Sequence, residues 1–145
     1  PADRLRASLD DVGAAGTDVV IGPSNPFLSI APILDIPDMQ GFLRHAARRV
    51  VAVSPIIGGQ ALKGPAGKIM SELGLEVSAT GWTHWMNEHY PGLVDVWVWD
   101  ETDQQAADDL RAEGMDIRTT STVMSDPERA AAFGDWLLRV CESDH

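Results

Sequence analysis

The sequence predicts an α/β fold, a mostly parallel sheet with helices on both faces. Three observations lead there. Short apolar runs recur along the chain and end in Gly, Pro, Ser or Asp, the punctuation expected at strand ends. Between them lie stretches with apolar residues at helical spacing. The strand runs are apolar at consecutive positions, as a sheet buried on both faces requires. Strand and helix alternating at this spacing is the pattern of βαβ units, whose crossovers are expected to be right-handed.

Each element follows from its local signals. Ala2 to Gly13 carries Leu5, Leu9 and Val12 at helical spacing. Asp18 to Ile21 is the first strand and ends in Gly22-Pro23. Ser29 to Leu34 and Met39 to Ala47 read as helices on either side of a break at Pro37, which cannot continue a helix. Val50 to Val53 is the second strand, ending in Ser54-Pro55, and Pro65 to Leu73 is a helix stopped by Gly74. Leu75 to Ser78 is a weaker strand candidate. Val94 to Trp99 is a strand ending in Asp100-Glu101, and Thr102 to Glu113 is a helix ending at Gly114. Asp116 to Thr119 is the last strand. Asp126 to Val140 is the last helix, with Asp126 as N-cap and Pro127 at the first helical position. Together these predict a three-layer, Rossmann-like sheet in a single domain over residues 1–145.

Composition bounds the function. A chain of 145 residues, 44% apolar, suits one self-sustaining core. The net charge of −11 argues against non-specific binding of nucleic acid or an anionic membrane, which need a basic face. It does not exclude an anionic ligand held by backbone N–H groups and a local cation. No run is long and apolar enough to span a bilayer. Arg4, Arg6 and Asp10 fall where the apolar part of a secretory leader would lie. One cysteine, Cys141, leaves no internal disulfide and fits a reducing cytosol, so a cytoplasmic location is expected. Cys141 reads as a packing residue. The chain starts at Pro1 rather than Met and is read as a piece of something longer.

In an open parallel sheet, ligands bind beyond the carboxyl ends of the strands. The three least ordinary segments all lie there. The first is Gly22-Pro-Ser-Asn-Pro26. Gly22 permits close backbone approach or positive φ, and Ser24 and Asn25 precede a helix expected to begin near Phe27. Two readings stand for them, an ordinary helix cap or a phosphate site at a helix N-terminus. The second is Ser54 to Pro65, a long Gly-rich loop. Gly58-Gly59 can form an anion-holding nest with the charge of Lys63 nearby. It matches neither the phosphate-loop nor the dinucleotide fingerprint spacing. The alternative is a plain connection with a solvent-facing lysine, but long loops are more often functional. The third is Asp100 to Asp103. Thr102 or Asp103 reads as the cap of the next helix, with capping the main role of Asp103, and Asp100 reads as a carboxylate for a ribose hydroxyl or a base edge.

His84 and His89 stand five apart, off a common helical face, with no Cys or third His beside them, so no metal site is assigned. Trp82, Trp85, Trp97 and Trp99 read as core or interface anchors. Trp97 and Trp99 share one strand face and pack under a helix or in a subunit contact.

Three strings, taken in order, resemble a known family. They are Asp18-Val-Val-Ile-Gly-Pro-Ser-Asn-Pro26, Ser54-Pro-Ile-Ile-Gly-Gly-Gln-Ala-Leu-Lys-Gly-Pro65, and Glu72-Leu-Gly-Leu-Glu-Val-Ser-Ala-Thr-Gly81 followed by Trp99-Asp-Glu-Thr-Asp103. They resemble the C-terminal half of the 2-phospho-L-lactate transferase family, called CofD in archaea and FbiA in actinobacteria, from about Asp18 to Met124. The resemblance implies a transferase of coenzyme F420 biosynthesis. A GDP-activated 2-phospholactate, or phosphoenolpyruvate in actinobacteria, gives its phospho-acid unit to the terminal hydroxyl of the deazaflavin Fo, and GMP leaves. It implies Mg²⁺ and a homodimer. By the match, Ser24, Asn25, Ser54, Gly58, Gly59 and Lys63 line the GDP and donor side of the cleft. The acids that the family links to metal and Fo fall in the half not represented, so no catalytic residue is assigned and the chain alone is expected to be inactive. The segment Trp82 to Pro91 departs from the family by its length and Trp content. Two alternatives remain, a regulatory protein resembling the gluconeogenesis-factor (YvcK-like) family that binds a nucleotide sugar, and a non-catalytic structural half.

Overall fold

Residues 16–61 and 64–142 are described by a computed structural model. The predicted helix Ala2 to Gly13 lies outside the described residues, as does Lys63. Four strands, β1 (Asp18–Ile21), β2 (Arg49–Val53), β5 (Val96–Asp100) and β6 (Ile117–Thr120), form one sheet in the order β1-β2-β5-β6. All three pairings are parallel, with Val20 opposite Val51, Val51 opposite Val96 and Val98 opposite Arg118.

Side chains alternate across a strand, and here the alternation separates two cores. Val50 and Ala52 of β2 and Trp97 and Trp99 of β5 face one side. They pack with α2 (Met39–Ala46), α3 (Ala66–Glu72), α4 (Ala79–His89) and α5 (Gln104–Ala112) through Leu43, Met70, Trp82, Met86 and Leu110. Val51, Val53, Val96 and Val98 face the other side, where α6 (Pro127–Glu142) covers them with Phe133, Val140 and Cys141. The sheet is thus the middle of three layers, as the consecutive apolar runs predict. Cys141 is buried, and that burial pushes its thiol pKa up, which leaves it a packing residue.

The helix signals map closely. Gly74 stops α3 with φ of 71°, and Leu75 N–H returns to the Met70 carbonyl at 2.8 Å. Asp126 accepts from Arg129 N–H at 2.8 Å, as an N-cap should. The predicted helix Ser29 to Leu34 is a π-helical turn, Pro26–Ile30, running into the short α1 (Ala31–Leu34).

Two segments differ from expectation. Leu75 to Ser78 is not a strand. It closes the α3 stop and then starts α4, with the Ser78 hydroxyl accepting from Gly81 N–H at 2.9 Å. Helix α4 is unannounced in the sequence because Gly81 sits in its first turn and Thr and Trp residues lower its propensity. Burial of Trp82, Thr83 and Met86 overrides that. Trp97 meets Trp82 edge-on at 5.2 Å, and Trp99 donates its indole N–H to Thr83 at 3.2 Å. The paired strand tryptophans therefore pack under a helix. The second difference lies in Ser54 to Pro65, whose middle folds into an antiparallel hairpin, β3 (Ile56–Ile57) and β4 (Gln60–Ala61).

Candidate functional site

Because the four strands run parallel, the loops after Ile21, Val53, Asp100 and Thr120 emerge at one edge of the sheet. The edge is assembled from backbone hydrogen bonds and a few short polar side chains.

After β1 the chain turns tightly, Ser24 N–H bonding the Gly22 carbonyl at 2.8 Å. Gly22 does not have positive φ, and a Cβ there would meet nothing within 4 Å among the described residues. Neither reason offered for a glycine is therefore needed by the fold. Ser24 is exposed. Asn25 caps the π-helical turn, its Oδ1 accepting from Phe27 N–H and Leu28 N–H at 3.0 Å each. Two donors at this helix start are thus engaged by the cap. The other end of the amide is different. Asn25 Nδ2 is buried and has no hydrogen-bond partner among the described residues. A buried donor left unpaired costs about 1–3 kcal/mol, so its retention calls for a functional account.

After β2, Ser54 is 1% exposed. Its hydroxyl donates to the Ile56 carbonyl at 2.9 Å and accepts from Ile56 N–H at 3.1 Å. Its hydroxyl hydrogen is engaged in fixing the start of the hairpin. Gly58 and Gly59 form the two-residue turn between β3 and β4, with φ of 56° and 76°. Positive φ at both positions makes this the primed turn that hairpins favour, rather than the alternating geometry of an anion nest. The turn is seated from both sides. A Cβ on Gly58 would lie 3.5 Å from the Thr102 methyl group, and one on Gly59 3.5 Å from the Val77 carbonyl. Gly58 N–H donates to both carboxylate oxygens of Asp103, at 3.0 and 3.2 Å.

After β5, Asp100 is 4% exposed. One oxygen accepts from Thr102 N–H at 3.0 Å and the Thr102 hydroxyl at 2.6 Å. The other accepts from Thr122 N–H at 2.8 Å and the Thr122 hydroxyl at 3.1 Å. Burial pushes this carboxyl's pKa up, but the four hydrogen bonds outweigh it and hold the group below the usual carboxylate range. A ribose or base edge approaching Asp100 would compete with these partners. Asp100 is a node that ties the loop after β5 to the loop after β6.

The loop after β1 is braced from behind by aromatic rings. Phe27 meets Trp85 edge-on at 4.8 Å, and Trp85 stacks with His89 at 4.5 Å. Tyr90 donates to Asp35 at 3.1 Å. Its phenol is pushed up to about 12, chiefly by burial and then by that bond. The Trp-rich segment thus forms a buttress. His84 and His89 are exposed on α4. Among the described residues no three His, Cys, Asp or Glu side chains are placed to hold a metal ion.

Sequence reasoning placed Asp103 or Thr102 as a cap and gave Thr122 no role. The first two lie in a recognisable strand-end string, but the bond from Asp103 to Gly58 spans 45 residues. Nothing in local spacing signals it.

Comparison with known proteins bears on the same residues. Residues 2–135 match the family model described as 2-phospho-L-lactate transferase CofD. Over 123 residues the chain is 44% identical to the 2-phospho-L-lactate transferase of Methanosarcina barkeri, covering 83% of this chain and 37% of that protein. It is 40% identical over 125 residues to the protein of the same name in Methanocaldococcus jannaschii, covering 86% and 37%. It is also 40% identical over 134 residues to the phosphoenolpyruvate transferase of Thermobifida fusca, covering 92% and 37%. The chain spans well under half the length of these curated relatives.

Proposed function

The chain belongs to the 2-phospho-L-lactate transferase family, and from that membership we propose that the whole protein is a transferase of coenzyme F420 biosynthesis. In this reading a GDP-activated 2-phospholactate or phosphoenolpyruvate binds across the loops beyond β1 and β2. The terminal hydroxyl of the deazaflavin Fo attacks the phosphorus next to the three-carbon acid. A new P–O bond forms, the bond to GMP breaks, and the hydroxyl proton is released. The location is cytoplasmic and the assembly a homodimer. Among the described residues, no helix is long and apolar enough to cross a membrane.

The single observation that carries the site is Asn25 Nδ2, a buried donor without a partner in the first loop at the strand ends. A ligand acceptor atom there would satisfy it. This is the economy of a binding site whose fold leaves one polar atom for its ligand. Transfer at phosphorus depends chiefly on positioning and on neutralising charge. This chain supplies positioning, through backbone and short polar groups on rigid strand ends. No base is assigned to it, and Mg²⁺, which would help neutralise the diphosphate, would be held by acids outside this chain.

Ligand-induced stabilisation tests the reading. A ligand at a hundred times its dissociation constant stabilises the native state by about 2.7 kcal/mol. GDP should raise the melting temperature of the whole protein, and Fo should add to it. Stabilisation by UDP-N-acetylglucosamine with none by GDP would replace the transferase by the nucleotide-sugar regulatory reading.

A further inference from the structure

At Asp103 the 3₁₀ turn Glu101–Asp103 runs straight on into α5, and Asp100 already caps the start of that stretch by accepting from Thr102 N–H. Asp103 makes no such cap. Its carboxylate instead reaches across to the β3–β4 turn and takes the Gly58 N–H with both oxygens, at 3.0 and 3.2 Å. Its partner thus lies 45 positions away in the sequence.

Three further observations make the reach purposeful. Asp103 ends a 3₁₀ turn, Glu101–Asp103, that Asp100 fixes by bonds to Thr102 and, beyond β6, to Thr122. The Thr102 methyl group forms a van der Waals seat for Gly58. On its other flank a Cβ on Gly59 would lie 3.5 Å from the Val77 carbonyl, and one on Gly67 of α3 would lie 3.7 Å from the Ala61 Cβ of β4. The tip, however, is a two-glycine turn at the end of two-residue strands. Such a hairpin is too short to hold its own position. A charge-assisted bond at its tip is the strongest kind of neutral-donor contact available to it.

We infer that Asp103 is a positioning residue, whose carboxylate holds the β3–β4 hairpin at the height over the sheet edge at which it borders the nucleotide-activated donor. The inference rests on the transferase reading for the identity of that donor. The tether itself rests on the geometry alone. Asp103 touches no reacting atom in this scheme. Its loss therefore weakens donor binding and leaves the chemical step and the acceptor unaffected.

The test uses the whole protein with Asp103→Ala and Asp103→Asn. Alanine removes the acceptor, and asparagine keeps one neutral acceptor oxygen. Amide exchange at Gly58 should speed up about tenfold or more in the alanine variant and less in the asparagine variant, while amides in the middle of α5 keep their native rates. KM for the GDP-activated donor should rise by about tenfold with alanine and by less with asparagine, with kcat and the KM for Fo near native values. Unchanged exchange at Gly58 in Asp103→Ala overturns the tether. A fall in kcat at constant donor KM overturns the positioning role and makes Asp103 a participant in the chemistry. If the native protein does not turn over this donor, the transferase reading falls, while the exchange comparison still decides whether Asp103 holds the hairpin.

Discussion

The same substitution, glycine to alanine, should have opposite signs in two helices of this protein. In α4, a Cβ on Gly81 would lie 2.0 Å from the Glu76 carbonyl oxygen and 2.9 Å from its carbon. Ordinary contact begins at 3.4 Å. The carbonyl has little freedom to yield, because it accepts from Ser78 N–H at 3.0 Å. Ser78 in turn caps α4 by accepting from Gly81 N–H itself. Relieving the clash therefore strains the turn and the cap together. Overpacking costs about 1–3 kcal/mol and a lost cap about 1 kcal/mol. Alanine recovers about 1 kcal/mol of helix propensity. Gly81→Ala should thus lose roughly 1–3 kcal/mol net, or about 2–12 °C in Tm for a domain of this size. In α2, a Cβ on Gly41 meets nothing within 4 Å, so Gly41→Ala should gain about 0.5–1 kcal/mol. Urea unfolding of both variants beside the parent decides the matter. A Gly81→Ala protein as stable as Gly41→Ala would refute the argument that backbone proximity dictates this glycine.

Three other outcomes are expected. Asp100→Asn places an amide where the carboxylate accepts four hydrogen bonds, and should cost about 1.5–3 kcal/mol. Since the folded-state pKa of Asp100 lies below the ordinary 3.8, its stabilisation is present above that pH and is lost as pH falls through the folded value. The acid limb of stability against pH should accordingly flatten in the variant. Tyr90 is the single tyrosine in the chain, so phenolate absorbance reads it alone. Its midpoint should fall near 12 rather than 10, and a midpoint at the free value would mean that the ring is not buried against Asp35. In the whole protein Lys63→Ala should weaken GDP binding by roughly ten- to a hundredfold, the loss of one charge-assisted contact, and Lys63→Arg should restore it only in part. Calorimetric titration with GDP measures both, and unchanged affinity in Lys63→Ala would make Lys63 a solvated surface lysine.

The strands were legible because a buried parallel sheet writes itself as apolar runs. Asp18–Ile21 is placed to the residue, and the other three strands shift by one or two positions. The helix stops at Gly74 and Gly114 and the start at Asp126 were legible because caps are local chemistry. What was hidden is whatever depends on distant partners. Helix α4 looks non-helical residue by residue, and only the sheet tryptophans beneath it explain why Trp82 and Met86 hold it in place. The hairpin at Gly58-Gly59 reads as a loose loop, because its two-residue strands carry no periodicity. Asn25 was legible as a cap, but the unpaired state of its Nδ2 is a property of the folded surroundings. Asp100 and Asp103 were recognised as a strand-end pair, and their assignments turn on Thr122 and Gly58, which sequence proximity does not reveal.

The sheet also acts as a partition. Val51 and Ala52 are joined by one peptide bond, yet they belong to different interiors. One interior is wide, filled by tryptophans and several short helices. The other is narrow and, among the described residues, rests on one helix with Phe133, Val140 and Cys141 at its base. Changes in the narrow interior have no direct packing route into the wide one, because the backbone of β2 and β5 stands between them. Volume can therefore be exchanged among Val51, Val98 and Phe133 while the tryptophan face keeps its packing. Energetic effects of substitutions on opposite faces should add, even between neighbours in the sequence. In this chain chemical adjacency and mechanical adjacency are separate properties, and the pleat of two short strands divides them.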